Sequence, residues 1–164
     1  MNPIPMAIFH TKGELINILR RALEIEKGFE NLAQWEAYVQ SKNDDFRNTI
    51  FTMISESEHH ASMVEGMLKE LGADLDGKYG LKQMVFDFSG KDEKEILNEL
   101  AKTEKLALDT YSNLKKTLVG TDTGTWLPQS SRGYIIDTLI QLILDEEHHC
   151  EIANMQVAML EKNR

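Results

Sequence analysis

Apolar residues recur at intervals of three and four along most of this chain, the spacing that places side chains on one face of an α-helix. The first such run covers residues 12–40, with Leu15, Ile18, Leu19, Ala22, Leu23, Phe29, Leu32 and Ala33. The second covers residues 44–71, with Phe46, Ile50, Met53, Val64, Met67 and Leu71, and stops at the Leu71-Gly72 signal. A third covers residues 92–118, opening after Ser89-Gly90-Lys91-Asp92 and carrying Ile96, Leu97, Leu100, Ala107, Leu108, Tyr111, Leu114 and Leu118. The last covers residues 132–162, with Ile136, Leu139, Ile140, Leu142, Ile143, Ala153, Val157 and Leu160. No period-two pattern competes; the nearest is MVFDF at 84–88, inside a connector. Pro3, Pro5 and Pro128 all lie outside the periodic runs, so nothing breaks long helices.

The connectors set the topology. Only two or three residues separate the first two helices, which must therefore run antiparallel. About a dozen residues join the last two. Residues 73–91 are long enough to travel the length of a bundle. The expectation is an all-α, single-domain four-helix bundle over 1–164, made of two antiparallel hairpins and one long crossover between helices 2 and 3. Each helix should span roughly 40 to 45 Å at 1.5 Å per residue.

Charged residues stand where this pattern wants hydrocarbon. A core-facing carboxylate costs several kcal/mol unless it is paired, protonated or bound to a cation. Glu104 falls at the centre of the third stripe, among Leu97, Leu100, Ala107 and Tyr111, and its segment supplies no Arg. Glu26 sits on the first stripe between Ala22 and Phe29. Glu146 lies at the centre of the fourth, with His149 one turn on; His148 and Asp145 point away, and Asp145 or Glu147 could support the ligands from outside. The second helix offers Glu56-Ser57-Glu58-His59-His60. Its stripe centres near Ser57 and His60, with Glu56 at the edge and His59 well away. Either a local bulge brings in Glu56 and His59, or His60 is the ligand and Glu56 reaches across. The wheel favours His60. Carboxylates from two helices plus Glu-x-x-His from two others form the ligand set of carboxylate-bridged di-iron bundles. The candidate metal ligands are Glu26, Glu56, His60, Glu104, Glu146 and His149.

Composition narrows the function classes. With 164 residues, 41% hydrophobic and 27% charged, the chain suits one soluble domain. A net charge of −9 argues against nucleic acid as the partner. The single cysteine, Cys150, offers no disulfide framework and no thiolate metal site, and reads as a small core residue. The N-terminal residues lack a signal-peptide pattern, and no apolar stretch reaches membrane-spanning length. The expected setting is reducing and cytoplasmic.

From about Lys12 to Leu160 the chain resembles the ferritin-like superfamily of di-iron bundles, in particular rubrerythrin-like and bacterioferritin-like proteins. LDEEHHCEIA looks like the fourth-helix Asp-Glu-Glu-x-His segment of that family, which implies a bridging role for Glu146 and a ligand role for His149. Glu104 with Ala107 and Tyr111 looks like the family's Glu-x-x-Ala-x-x-x-Tyr, which implies a terminal ligand. Glu26 occupies the equivalent first-helix place, with Ala33 where a tyrosine is frequent. In the second helix His60-Ala61 matches the family's His-Ala pair, and Ser57 stands where the bridging glutamate should be.

The resemblance implies two iron ions per chain, with manganese or zinc as substitutes, and chemistry on peroxide, oxygen or ferrous iron. It implies metal ions and small oxidants as partners, an external electron donor in the absence of a rubredoxin-type module, and a homo-oligomer, dimer or larger. Two other readings stand beside it. One is a metal-free or single-metal bundle acting as a structural or interaction module; the other is ferritin-type iron storage.

Overall fold

The computed structural model of the chain describes residues 9–28, 32–75 and 87–162, residues 32–34 by backbone alone. All regular structure among them is helical: α1 (Lys12–Gly28), α2 (Leu32–Gln40), α3 (Asp44–Glu70), α4 (Glu93–Gly120) and α5 (Gln129–Lys162).

The helix ends are set by local chemistry. Asn43 caps α3, its side chain accepting from the backbone N–H of Asp45 and Phe46 at 3.0 and 3.2 Å. α3 stops in a paired-bond C-terminal motif: Gly72, at φ +71°, donates to Lys69 O, and Ala73 donates to Leu68 O, each at 2.9 Å. Asp92 and Glu95 form a reciprocal capping box at the start of α4. The expected single first helix over residues 12–40 is described as two helical segments, with residues 29–31 outside the described part. α5 starts at Gln129, one residue after Pro128, rather than at 132. Proline is tolerated at a helix start because the first N–H groups lack intrahelical partners.

Cross-helix contacts fix the directions. Arg20 donates to Asp74 O at 3.3 Å and Lys27 pairs with Glu65 at 3.2 Å, so α1 opposes α3. Ser131 donates to Glu70 at 2.8 Å near one end of α3, whereas His60 meets Glu146 further along, so α5 also opposes α3. Arg132 reaches Leu118 O and Lys94 pairs with Glu161, so α5 opposes α4. Hence α3 and α4 point the same way. Ser41 donates to Glu93 at 2.5 Å, placing the start of α4 beside the start of α3. The chain leaves α3 at one end and re-enters α4 at the other, about 40 Å apart for a 27-residue helix. Both ends of the expected crossover are thus placed. Its middle, 76–86, and most of the MVFDF stretch lie outside the described residues.

The innermost buried rows of α1, α3, α4 and α5 follow a three-four alternation. They run Leu15, Leu19, Ala22, Glu26 in α1 and Phe46, Ile50, Met53, Ser57, His60, Val64, Met67, Leu71 along α3. In α4 they run Leu97, Leu100, Glu104, Ala107, Tyr111, Leu114, Leu118. In α5 they run Ile135, Leu139, Leu142, Glu146, His149, Ala153, Gln156. This is the seven-residue repeat of interdigitating, nearly aligned helices. It corrects the fourth stripe: Ile135 replaces Ile136 in the innermost row, and Ile140 is exposed. α5 is apolar on more than one side, with Leu144, Met155 and Met159 also exposed, so its sequence pattern alone does not single out one face.

The directions make a measurable claim. Spin labels at Lys69→Cys and Glu95→Cys, in a Cys150→Ser background, should lie about 35 to 40 Å apart by pulsed electron–electron resonance. A separation near 15 Å would place α3 and α4 in a simple hairpin.

Candidate metal centre

The polar residues of these core rows come together. Glu26, Glu104 and Glu146 are fully buried, and His60 and His149 are 1% exposed. Each helix supplies its residues because the core row of the seven-residue repeat passes through them. Glu146 and His149 are three apart on α5, and Ser57 and His60 are three apart on α3, so each pair points inward from one helix.

Glu146 is the hub. Its Oε1 lies 2.9 Å from His60 Nδ1, and its Oε2 lies 3.5 Å from His149 Nδ1. Glu26 Oε1 lies 3.7 Å from His60 Nδ1, and Glu104 Oε2 lies 3.6 Å from His149 Nδ1. Two Glu–His pairs result, Glu26 with His60 and Glu104 with His149, sharing Glu146. The two imidazoles stack at 5.2 Å between ring centres. Tyr111 O–H donates to Glu26 Oε1 at 2.6 Å from the core of α4.

The outer ring nitrogens are held from across the bundle. His60 Nε2 lies 3.2 Å from Asp145 Oδ2, and His149 Nε2 contacts Glu56. Each supporting carboxylate precedes by four residues the histidine of its own helix, and holds the histidine of the other. Glu56 was expected as a direct ligand. Its side chain instead is half-exposed, on the outer nitrogen of His149. Asp145 supports His60 from outside, one of the roles considered for it, while His59 and His148 are exposed. No helix distortion brings Glu56 and His59 inward; α3 is continuous through them.

Charge within the group is tightly balanced. Burial alone would lower the His60 pKa, but the Glu146 and Glu26 carboxylates outweigh it and raise it to about 10. Burial likewise opposes the charge on His149, and Glu104 and Glu146 lift it to about 11. Burial pushes Glu26 up to about 7 and Glu104 well above the usual carboxylate range. Burial also opposes ionisation of Glu146, but the adjoining Glu104 carboxyl and both imidazoles hold it below that range. Cys150 is half-buried beside the group, and burial raises its thiol to about 11, so it is no ready thiolate.

Several buried atoms of the group have no protein hydrogen-bond partner: both oxygens of Glu104, Oε2 of Glu26, Oε2 of Glu146 and Nδ1 of His149. Unsatisfied buried carboxylate oxygens are expensive, and a cation is the partner that satisfies several at once. His60, Glu146 and His149 each offer a ligand atom, and these lie within 4.8 Å of one another, so this buried group could hold a metal ion. In both histidines the inner Nδ1 faces the carboxylates and the outer nitrogen faces an acceptor, the orientation that metal-ligating histidines adopt.

Comparison with protein-family models, curated proteins and solved structures found no match to this chain.

The two adjacent histidines of α3 provide a direct test. His60→Ala should weaken divalent-metal binding by about 10-fold or more, because it removes a donor and frees Asp145. His59→Ala, at an exposed position, should leave the affinity unchanged within error. Equilibrium dialysis with Mn(II) or Co(II) reads both; the opposite pattern would overturn the assignment.

Proposed function

We propose that this chain is a ferritin-like, carboxylate-bridged dinuclear metal protein, a non-haem di-iron or di-manganese oxidoreductase of peroxide, oxygen or ferrous iron. The observation that carries the reading is the pair of half-sites sharing Glu146, one terminal carboxylate and one Nδ1-inward imidazole on each side. The antiparallel pairings and the end-to-end displacement between α3 and α4 support the ferritin-like part.

The residues fit such a centre. Glu26 and His60 would hold one ion, Glu104 and His149 the other, and Glu146 would bridge them. Carboxylate and imidazole donors suit iron or manganese, as a thiolate set would suit zinc or an iron–sulfur cluster. Two such ions, when bound, would supply the two electrons that reduction of a small oxidant needs. Asp145 and Glu56 fix the ring planes and raise the basicity of the histidines. Tyr111 keeps its proton, its pKa raised by burial and the nearby Glu26, and holds Glu26 by donation. The full burial of the group keeps bulk water from competing for donors.

A second reading has one observation in its favour. The metal-free group pairs its own charges, with imidazolium His60 and His149 on either side of the Glu146 carboxylate. A bundle using this polar layer only to fix its helix alignment would look the same without metal.

Metal content separates the two. Protein purified without oxygen and loaded with Fe(II) should hold about two ions per chain. Glu104→Ala should lower that count sharply. Metal-free Glu104→Leu should unfold at higher temperature than wild type, since an unpaired buried carboxyl is removed. Wild type with no bound metal would sink the dinuclear reading.

Metal must also displace protons. Both histidines carry theirs well above neutral pH in the metal-free protein, so binding at pH 7 should release up to two protons from them. Affinity should rise with pH between about 6 and 9. Calorimetric titrations in buffers of different ionisation enthalpy read the proton count directly. A pH-independent affinity would show that the histidines are not displaced.

A further inference from the structure

The centre is asymmetric in one respect. α3 and α5 present the same pattern: an outer carboxylate four residues before the buried histidine and an inward position three before it. On α5 those positions hold Asp145 and Glu146; on α3 they hold Glu56 and Ser57. Ser57 is fully buried, and its Oγ has no protein hydrogen-bond partner. A buried hydroxyl without a partner costs roughly 1 to 3 kcal/mol.

The charge points the same way. Two divalent ions bring four positive charges into the core. Glu26, Glu104 and Glu146 return three negative ones, and metal-bound imidazoles are neutral. One positive charge stays uncompensated among fully buried residues. Asp145 and Glu56 sit one ring further out, on the outer nitrogens of His60 and His149 with side chains 30% and 45% exposed, so neither is an inward ligand. The inner group therefore lacks one ligating anion, and Ser57 is the buried core-row position of α3, three residues before His60, whose hydroxyl is without a protein partner.

Resting on the dinuclear reading above, we propose that a small exogenous carboxylate, of formate or acetate size, completes this centre beside Ser57. It takes the part on the α3 side that Glu146 takes on the α5 side, and accepts a hydrogen bond from Ser57 Oγ. A carboxylate suits the position better than a single oxygen because the facing Glu146 presents one oxygen to each half-site. Hydroxide would supply the charge without the second oxygen. The class of ligand that the chain recognises here is a monocarboxylate whose substituent fits in a buried layer. The asymmetry gives the centre an exchangeable anion position.

The test uses the full chain loaded with Co(II), whose visible bands report coordination, and acetate as the probe. Acetate should shift the bands saturably in wild type. Ser57→Ala should weaken that response about tenfold, the effect of deleting one hydrogen bond to a charged group. Ser57→Glu supplies the carboxylate from the chain; it should abolish the acetate response and bind the second Co(II) more tightly. The Ser57→Ala comparison decides the matter alone if Ser57→Glu fails to fold. Two bound Co(II) ions with no acetate response would overturn the exchangeable-anion proposal and leave the dinuclear reading standing. So would equal acetate affinity in wild type and Ser57→Ala. Uptake of fewer than two Co(II) ions by wild type would overturn both.

Discussion

One layer of this bundle is ionic, and the packing around it depends on how its charges cancel. Glu26, Glu104 and Glu146 together with His60 and His149 occupy core positions that elsewhere in the same rows hold Leu, Ile, Met and Val. In a medium that solvates charge poorly, removing Glu146 leaves the two imidazoles without their shared carboxylate, a loss of about 3 to 5 kcal/mol for a broken buried pair. Above and below the layer the core rows are hydrocarbon apart from Gln156, and that contrast holds the helices in one axial alignment. A shift of either hairpin by one turn would set a glutamate against leucine.

The same contrast explains what could be read from the chain. A carboxylate in an otherwise apolar stripe is conspicuous, so Glu26, Glu104 and Glu146 stood out without a structure. The choice of His60 over His59 followed from the wheel, because the two neighbours differ by about 100° around the helix. The stop at Leu71-Gly72 and the Asp92 start were equally plain, since each is a local exchange of backbone hydrogen bonds.

What escaped was information held between helices. Glu56 and Asp145 stand at equivalent places in two similar segments, but their partners are histidines on the opposite helix. Which side chain reaches which ring depends on the relative height of α3 and α5, and no single-helix wheel contains that quantity. Glu56 was accordingly grouped with the direct ligands. The fourth stripe was drawn slightly rotated for a related reason. A wheel at 100° per residue drifts by about 20° per heptad from the 3.5-residue repeat that the packed helices keep. On a 34-residue helix with apolar residues on several sides, that drift moved Ile136 and Ile140 inward on paper and overlooked Ile135.

The crossed supports have a mechanical consequence. Asp145 on α5 steadies the ring of His60 on α3, and Glu56 on α3 steadies the ring of His149 on α5. The two contacts act like opposed stays between a pair of masts. Sliding α3 along α5 in either direction lengthens one stay while slackening the other, so neither direction of travel is soft. The orientations of both imidazole rings are thereby tied to the spacing of just two helices. A disturbance that separates α3 from α5 would turn both imidazoles out of alignment together, and the buried polar group would lose its geometry as a unit.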